Sequence, residues 1–571
     1  MPGAVVTAWG IRKAISYAFC PSLAKFLPTT IGEFLRTSAE KHGQKPACIS
    51  VYQDTVKTFE DIHKESRLLA AGFLATGLKP GDRIGIWGPN SYEWYLTMMA
   101  ASTGGLVLVN VNPAYQVSEL EYCINKVGIK ALVSAEQYKS QDYYSMVARI
   151  APELEKCLPG EIQAKKLPSL KSLMMISEKE LPGTFRLEHV MEMGEEQKNQ
   201  EHLDECEVRV QFSDPCNIQF TSGTTGKPKA ATLSHFNILN NAYFVGRRIG
   251  YDQRPPVICL PVPLYHCFGC VLGVLAGLIH GGTVVLPSPG FDPQAALQAV
   301  HSHRCNSIYG TPTMFVDMLL VNDFNSYDLK CLETGAMAGS PCPEPLVRKV
   351  IKEMHMERFS IFFGMTETSP CSFQTFPDDS VEIRSTTVGK PTDHVECLLV
   401  DDNEKVVNQG DMGEIWIRGY CNFLGYWGDE EKTKEILTPA GWLKTGDLGI
   451  LDERGYLRII GRKKDLIIRG GENIYPREIE EFLHTHPEIA EAQVVGVPDP
   501  RMGEEICAWV RLKENRTVLP EEIHAYCRGK ISHFKIPKYI LIKDKFPMTV
   551  TGKIQKYVIK NMTIAELGLQ Q

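Results

Sequence analysis

The stretch that decides how this chain is interpreted is Phe220-Thr-Ser-Gly-Thr-Thr-Gly-Lys-Pro-Lys229. A short strand pattern, Asn217–Phe220, leads into it. Its glycines let backbone N–H groups turn toward an anion, and its hydroxyl and ammonium groups supply further donors. Two residues rather than four separate its two glycines, and a proline follows the first lysine, so the stretch departs from the Walker A pattern. It therefore predicts a polyphosphate-binding loop of another kind.

The composition around this loop is that of an ordinary globular protein. The 571 residues are 43% hydrophobic and 23% charged, and this length predicts several lobes, because a single core stops growing well below it. The net charge of -7 and the lack of a Lys/Arg-rich block argue against a nucleic-acid partner. The 17 cysteines follow no regular spacing, which favours free thiols in a reducing compartment over a disulfide framework.

Alternating strand and helix patterns along most of the chain predict α/β layers with largely parallel sheets. β-Branched runs predict buried strands at Arg83–Trp87, Leu106–Val111, Ala131–Ser134, Ile258–Leu260, Thr283–Leu286, Ser307–Tyr309 and Ile361–Phe363. Amphipathic stretches such as Asp292–His303 and Pro345–Met356 predict helices. From about residue 388, closely spaced runs predict a β-rich subdomain with strands at Glu396–Val400, Gly413–Ile417 and Tyr456–Ile460.

We therefore expect three parts. Residues 1–29 form an N-terminal extension, residues 30–464 a large α/β domain with its β-rich subdomain from about 388, and residues 465–571 a small mobile α+β C-terminal domain. In the last part the patterns predict helix, strand, strand, helix and strand, at Pro476–His486, Glu491–Val497, Glu505–Leu512, Pro520–Ile531 and Tyr539–Ile542.

One uncharged run resembles a membrane segment but is too short to be one. No Asp, Glu, Lys or Arg occurs from Pro255 to Phe291, and the continuous apolar core runs only from Cys267 to Ile279. A bilayer needs roughly 20 apolar residues. The run therefore predicts a buried helix and no transmembrane segment, with Cys267 and Cys270 packed rather than redox-active.

Five further motifs follow the loop, and each is weak when taken alone. An acid after a Thr-Gly turn is commonly a turn former. The motifs are Gly335-Ala-Met-Ala-Gly339, Phe363-Gly-Met-Thr-Glu367, Trp442-Leu-Lys-Thr-Gly-Asp447, Gly461-Arg-Lys-Lys-Asp465 and Pro547-Met-Thr-Val-Thr-Gly-Lys553. In this order they resemble the adenylate-forming superfamily, which includes acyl-CoA synthetases, luciferases and peptide-synthetase adenylation domains. The resemblance covers about Thr30 to Lys560.

The resemblance implies roles for individual residues. ATP would be bound by Thr221, Ser222, Gly223, Thr224, Thr225, Gly226, Lys227, Pro228 and Lys229, by Asp447 and Arg462 at the ribose, and by Lys553. The adenine would lie against a loop of Gly335, Ala336 and Met337 and against Phe363, where the family usually has tyrosine. Thr366, Glu367 and Lys553 would be catalytic, with Glu367 also holding Mg²⁺, and Asp465 would be the hinge of the C-terminal domain.

The implied reaction joins a fatty acid to coenzyme A through an acyl adenylate, at the expense of ATP. Its nucleophile is the substrate carboxylate, so no Ser–His–Asp or Cys–His group is needed. The uncharged wall favours an alkyl chain over an amino acid, whose ammonium would need a buried partner. Three stretches, Asn110–Tyr115, Gly470–Pro476 and Gly529–Lys538, look very like those of the mitochondrial medium-chain acyl-CoA synthetases of animals, which predicts a medium-chain substrate.

Several alternatives stay open at this point. The enzyme could pass its adenylate to a carrier protein or to oxygen, or the fold could serve an inactive lipid-binding protein. The joint presence of Glu367, Asp447, Arg462 and Lys553 argues against the inactive protein. His266 either gates the acyl tunnel, as its match does in relatives, or is a core histidine at the start of a helix.

Two further expectations concern the N-terminal segment and the residue that follows the phosphate loop. The first acid is Glu33, whereas Arg12, Lys13 and Lys25 precede it, which is typical of a mitochondrial presequence or of a basic N-terminal helix in a cytoplasmic protein. In the phosphate loop, Ala230 follows Lys229 where relatives commonly have glycine. If the backbone there had positive φ, the Cβ would cost about 1 kcal/mol.

Overall fold

The computed structural model describes residues 14–221, 228–340, 342–470, 472–549 and 553–569. Within these residues, two large mixed sheets, here called the first and second sheets, form the body of the chain. A third sheet is antiparallel and has five strands, and a C-terminal sheet of five strands follows it in the sequence. A short hairpin pairs Gln137–Tyr138 with Gln141–Asp142.

The eight strands of the first sheet flank the predicted phosphate loop. In spatial order they are Phe185–Arg186, Ser172–Ile176, Ile129–Ala135, Arg83–Trp87, Val107–Val111, Pro215–Thr221, Lys229–Ser234 and Gly425–Tyr426. Neighbours are parallel as far as Pro215–Thr221, and the last two strands join antiparallel. The register sets Thr221 opposite Lys229, so the two ends of the loop lie side by side.

The second sheet has nine strands and supplies the opposite wall. In spatial order they are Lys390–Pro391, Cys371–Gln374, Arg358–Gly364, Thr334–Met337, Ser307–Gly310, Val257–Cys259, Thr283–Leu286, Pro46–Ser50 and Thr55–Thr58. The strands from Arg358–Gly364 to Pro46–Ser50 are parallel, as the alternating pattern predicts. The predicted strands of both sheets are confirmed, with bounds that shift by a few residues.

Helices cover both sheets and fill the space between them. The α-helices before the C-terminal sheet are Ile31–His42, Phe59–Ala75, Tyr92–Thr103, Val117–Val127, Tyr143–Ile150, Leu187–Gly194, Gln197–Glu207, His235–Ile249, Pro293–His303, Pro312–Leu319, Glu344–Glu353, Val381–Thr386 and Glu430–Ile436. Short 3₁₀ turns lie at Val51–Gln53, Pro152–Lys156, Phe324–Ser326, Thr366–Thr368, Lys463–Asp465 and His533–Lys535. The helix Phe59–Ala75 begins where it does because Thr58 and Asp61 form a capping box.

The uncharged run forms one continuous buried helix with the predicted bounds. Its ends, Cys267–Gly269 and Ala276–Ile279, are α-helical, and its middle, Cys270–Leu275, is π-helical. Both Cys267 and Cys270 are buried, and all 17 cysteines are free thiols, so packing explains the pair. Among the described helices, none is long and apolar enough to cross a bilayer.

The third sheet is the predicted β-rich region, but it begins at the N-terminus. Its strands are Tyr17–Phe19, Glu396–Val400, Met412–Arg418, Leu443–Leu451 and Leu457–Arg462. The first strand pairs antiparallel with the second, and the Phe26 ring lies 4.6 Å from the ring of His394. The described part of the predicted N-terminal extension, from residue 14 onward, therefore packs on the large domain as a strand and a loop rather than as a basic helix.

The C-terminal sheet contains the three predicted strands and two that the patterns missed. Its order is Glu472–Ile474, Ile467–Arg469, Gly503–Leu512 and Ile489–Asp499, with Tyr539–Ile542 parallel to Gly503–Leu512. The helices are Pro476–Leu483, Pro520–Cys527 and a further one, Lys556–Leu567. The hairpin formed by Ile467–Arg469 and Glu472–Ile474 was missed because only one residue of each strand is buried, so neither strand is a continuous apolar run.

Candidate active site

Three parallel strands end at one edge of the crevice between the first and second sheets. They are Pro215–Thr221 in the first sheet and Thr334–Met337 and Arg358–Gly364 in the second. Ligands of open α/β sheets bind at the carboxyl ends of strands. These three ends carry Thr221, Ala338 and the turn that contains Glu367, so the predicted residues converge although they are far apart in the sequence.

Glu367 lies in the 3₁₀ turn Thr366–Thr368, directly after its strand. The turn needs Gly364, because a Cβ there would lie 1.9 Å from the carbonyl oxygen of Pro370. Glu367 is only 4% exposed, and its Oε1 accepts hydrogen bonds from the hydroxyls of Tyr426 at 2.7 Å and Thr221 at 3.4 Å. Among the described residues, no donor reaches its Oε2.

Tyr426 belongs to the site and was missed in the sequence. It forms a two-residue strand with Gly425, pairs with Ala231, and its ring lies 4.9 Å from the Nζ of Lys229. Burial, followed by the charge of Glu367, raises the pKa of Tyr426, so its hydroxyl keeps the proton that it donates. A strand of two residues has no period, and only the Gly-aromatic pair at a sheet edge could have indicated it.

Asp447 and Arg462, which the resemblance assigns to the ribose, form an ion pair. Arg462 Nε lies 3.0 Å from Asp447 Oδ1, on the neighbouring strand of the third sheet. Burial raises the pKa of Asp447, and the guanidinium offsets part of that increase. The predicted tight turn before Asp447 is instead a bulge inside the nine-residue strand Leu443–Leu451, where Gly446 has φ of 73°.

Most of the predicted adenine loop lies inside a strand. Gly335, Ala336 and Met337 belong to the buried strand Thr334–Met337, and a Cβ on Gly335 would lie 2.6 Å from the carbonyl oxygen of Ile308. Small residues are needed there for strand packing. Only Ala338 and Gly339 of this motif extend past the strand. Phe363 is half-buried near the end of its own strand and packs edge-on against Phe373 at 6.2 Å.

Lys553 comes from the C-terminal region and reaches this edge of the crevice. A Cβ built on Gly339, which has φ of 89°, would lie 3.6 Å from Lys553 Cε. Burial lowers the pKa of Lys553, and the charge of Arg462 lowers it further, while Cys267, Glu367 and Asp447 act in the opposite direction. The Lys553 ammonium is therefore close enough to interact electrostatically with Glu367 at the predicted metal site and with Asp447 and Arg462 at the predicted ribose site.

His266 and Cys267 lie at the start of the uncharged helix, next to this ammonium. His266 Nδ1 accepts a hydrogen bond from Phe268 N at 3.1 Å and so caps the helix. Burial, together with the charge of Lys553, lowers the pKa of His266 to about 3. The thiol of Cys267 lies 3.7 Å from Thr366 Oγ1, which connects the apolar wall to the predicted reaction centre.

Only the two ends of the phosphate loop belong to the described residues. Ser222, Gly223, Thr224, Thr225, Gly226 and Lys227 lie outside the described residues. Pro228 and Lys229 are described, and the carbonyl oxygen of Pro228 accepts a hydrogen bond from Tyr122 OH at 3.1 Å. Ala230 is a buried strand residue and does not have positive φ, so the strain considered for its Cβ does not arise. Asp465 ends the 3₁₀ turn that leads into the C-terminal sheet.

The oxygen atoms offered at Glu367 suit a magnesium ion bound to the phosphates of ATP. Mg²⁺ prefers oxygen ligands and is commonly held by one or two carboxylates plus substrate phosphates. Glu367 offers Oε2, while its Oε1 is fixed by two hydroxyls. The described part of the chain contains no group of three or more His, Cys, Asp or Glu side chains arranged for a metal.

The comparison with known proteins places this chain among related enzymes. A Danio rerio protein named medium-chain acyl-CoA ligase ACSF2, mitochondrial, is 49% identical over 95% of this chain and 89% of its own length. The Homo sapiens protein of the same name is 45% identical over 95% of this chain and 88% of its own length. The crystal structure of the anthranilate CoA ligase AuaEII with anthranoyl-AMP has a TM-score of 0.84 at 24% identity, over 95% of this chain and 99% of its own, and supports the fold alone.

Two family models match the two parts of the chain in order. Residues 35–427 match the AMP-binding enzyme family, and residues 478–553 match the AMP-binding enzyme C-terminal domain. The first match alone spans more than half of the 571 residues. The fold of a large α/β domain followed by a C-terminal domain agrees with both. The chain belongs to the AMP-binding enzyme family.

Proposed function

We propose that this enzyme joins a medium-chain fatty acid to coenzyme A, using ATP and passing through an acyl adenylate. The proposal is carried by the position of Lys553, whose Cε lies beside Gly339 and whose pKa is influenced by the charges of Glu367 and Asp447. A cation from the C-terminal region beside a metal-binding carboxylate and a ribose-binding carboxylate suits attack on a nucleotide phosphate. The medium-chain preference rests on the names of the Danio rerio and Homo sapiens relatives.

In the first step the fatty acid carboxylate attacks the α-phosphorus of ATP. A bond forms between the carboxylate oxygen and the α-phosphorus. The bond between the α-phosphorus and the oxygen bridging to the β-phosphate breaks, and pyrophosphate leaves with that electron pair. Lys553 neutralises charge that develops on the phosphoryl oxygens, and Asp447 holds the ribose hydroxyls. A preorganised cation of this kind typically lowers a barrier by about 3 to 4 kcal/mol.

The remaining groups of the nucleotide site orient the substrate. The phosphate loop, Thr221 to Lys229, cradles the polyphosphate through backbone N–H groups and hydroxyls. Glu367 would hold Mg²⁺, which would neutralise phosphate charge when bound. Thr366 lies between this carboxylate and the Cys267 thiol, 3.7 Å away, where the acid and the phosphate have to meet.

In the second step the thiol of coenzyme A attacks the carbonyl carbon of the acyl adenylate. A carbon–sulfur bond forms, the carbon–oxygen bond to the phosphate breaks, AMP leaves, and the thiol proton passes to solvent. Lys553 has no task in this step. We propose that the C-terminal domain turns about Asp465 between the steps, which suits a short 3₁₀ turn between two sheets.

The buried helix Cys267–Ile279 forms the apolar wall for the acyl chain. It carries no charged side chain, and its first residue contacts Thr366 at the reaction centre. His266 is neutral near pH 7, because burial lowers its pKa to about 3, so it can stand beside an alkyl chain without a buried charge. A gating role for His266 requires that its cap on Phe268 opens.

We also propose a mitochondrial location. Both relatives named above carry the word mitochondrial in their names, and Arg12 and Lys13 suit the basic character of a presequence. Cleavage of such a segment cannot extend past the strand Tyr17–Phe19 without removing an edge of the third sheet. Import of a tagged full-length chain into isolated mitochondria, compared with an Arg12→Glu/Lys13→Glu double variant, tests this.

A pyrophosphate-release assay tests the reaction itself. The purified chain would be offered ATP and Mg²⁺ with butyrate, hexanoate, octanoate, decanoate or palmitate, with and without coenzyme A. We expect release to be highest with octanoate or decanoate, and acyl-CoA to form only when coenzyme A is present. If none of the acids caused pyrophosphate release, the proposed enzyme function would be contradicted. Release without any thioester on addition of coenzyme A would instead support transfer to a carrier protein or to oxygen.

A further inference from the structure

Tyr426 joins the predicted metal site to the strand that leaves the phosphate loop. It stands at the edge of the first sheet, paired with Ala231, and is 6% exposed. Its hydroxyl donates to Glu367 Oε1 at 2.7 Å, and its ring lies 4.9 Å from the Nζ of Lys229. One side chain therefore touches a carboxylate on one wall of the crevice and an ammonium on the other.

The backbone around Tyr426 makes the same double connection. Phe423 N donates to the carbonyl oxygen of Glu367 at 3.0 Å, so the segment is anchored on the metal-site turn. Leu424 N donates to Thr232 O at 2.9 Å and Trp427 N donates to Ala230 O at 2.8 Å. The segment 423–427 thus fixes the distance between Glu367 and Lys229, and Tyr426 is its only side chain known to reach both among the described residues.

The contact to Glu367 selects one of its two oxygens. Tyr426 and Thr221 both donate to Oε1, and no described donor reaches Oε2. A carboxylate held at one oxygen by a short hydrogen bond cannot rotate freely about its last torsion. Oε2 is therefore presented to the crevice in one orientation, which suits a cation with strict octahedral geometry such as Mg²⁺.

We propose that Tyr426 is a positioning residue for the metal–polyphosphate part of ATP. Through its hydroxyl it orients Glu367 toward the metal, and through its ring it holds the Lys229 ammonium beside the phosphates. The proposal rests on the proposed function, because it assumes that Glu367 serves a metal-bound ATP. It predicts that Tyr426 acts on ATP with Mg²⁺ and leaves the binding of AMP unaffected.

The test compares Tyr426→Phe with Tyr456→Phe. Tyr456→Phe is the control, because it also removes a tyrosine hydroxyl that donates to a carboxylate. Tyr456 OH lies 2.5 Å from Asp379 Oδ1, away from Glu367 and Lys229. ATP and AMP binding would be measured by calorimetry on the full chain over a series of Mg²⁺ concentrations. We expect Tyr426→Phe to raise the half-saturating Mg²⁺ concentration for ATP about tenfold, the loss of a charge-assisted hydrogen bond, with AMP affinity unchanged.

Several results would overturn the proposal. One is a Mg²⁺ dependence of Tyr426→Phe that matches Tyr456→Phe, and another is an equal loss of AMP affinity, which would indicate a purely structural role. A double variant with Glu367→Gln sharpens the test, because Tyr426→Phe should have no further effect on Mg²⁺ dependence once its partner is changed. Additive effects would contradict action through Glu367. If the unmodified chain releases no pyrophosphate with any acid, the proposed function fails instead, whatever the binding data show.

Discussion

The two halves of the active site are held in different ways. In the large domain, Glu367 accepts two hydroxyl hydrogen bonds and Asp447 is paired with Arg462 at 3.0 Å. Lys553 is held only through its backbone, which exchanges hydrogen bonds with Thr549. Among the described residues, no hydrogen bond or ion pair reaches its Nζ, which approaches the other half beside Gly339.

The difference indicates a fixed half and a half that can leave. In the proposed mechanism the groups that bind ATP act in both chemical steps, and hydrogen bonds to neighbouring strands keep them in place. The proposed role of Lys553 is confined to the first step, and a side chain whose ammonium has no partner among the described residues can be withdrawn at little energetic cost. A described ion pair between the halves, Arg511 with Asp317 at 4.0 Å, is long and partly exposed.

The largest expected effect comes from removing the movable group. Lys553→Ala should slow acyl-adenylate formation by about a hundredfold to a thousandfold, because a cation at the reacting phosphate is lost. Thioester formation from supplied acyl adenylate should stay near the level of the unmodified enzyme. Pyrophosphate release and acyl-CoA formation, measured separately, check both halves of the reaction.

The matched control for this prediction is Lys543→Ala. Lys543 is also in the C-terminal region and is paired with Glu566 at 2.7 Å, away from the crevice. Both half-reactions should be unaffected in this variant. If Lys553→Ala lost both half-reactions equally, Lys553 would belong to the fixed half of the site. The proposed distinction between a fixed half and a movable half would then be contradicted.

A second prediction concerns pH. Burial lowers the pKa of Lys553 below the ordinary value of 10.5, so its ammonium loses the proton at a lower pH than an exposed lysine. Since the neutral amine cannot neutralise phosphate charge, adenylation should decline on the alkaline side before pH 10.5 is reached. The pH profile of pyrophosphate release measures this. Lys553→Arg should lose the alkaline decline, and persistence of the same decline would assign it to another group.

A third prediction concerns the contact between the halves. Asp317→Asn removes the charge that faces Arg511 and should loosen the arrangement in which Lys553 faces the crevice. The expected change is about twofold to fivefold, as for a partly exposed ion pair worth ~0.5 to 1 kcal/mol. The ratio of adenylation to thioester formation should fall. A Glu491→Gln control keeps Asp317 and tests whether Arg511 needs its nearer partner, 3.1 Å away.

The smallest effect is expected inside the fixed half. Ala230 lies in a buried strand without positive φ, so Ala230→Gly relieves no strain and adds flexibility. The free energy of unfolding should fall by about 0.5 to 1 kcal/mol, and the Michaelis constant for ATP should change less than twofold. Thermal unfolding and ATP kinetics measure the two. A large rise in the Michaelis constant would show that this strand is less rigid than its register implies.

Much of the fold was predictable because its elements are marked by local patterns of apolar residues. The strand Thr283–Leu286 and the helix Cys267–Ile279 have the predicted bounds, since each is a continuous apolar run between breakers. The strands Tyr17–Phe19 and Gly425–Tyr426 were missed, because neither contains a β-branched residue of the kind that marked the other strands. Gly335, Ala336 and Met337 were predicted to lie in a loop but form a strand, because small residues also suit close strand packing.

The sequence by itself determined the α/β class and the order of the motifs, because these depend on residue type and local spacing. The proposed roles of Thr221, Glu367, Asp447, Arg462 and Lys553 come from the family resemblance that those motifs carry. Only the tertiary structure decided that the Tyr426 hydroxyl donates to Glu367 and that Lys553 stands beside Gly339. Such contacts join separate sheets. Their distances follow from how whole layers pack, and no local pattern along the chain records that packing.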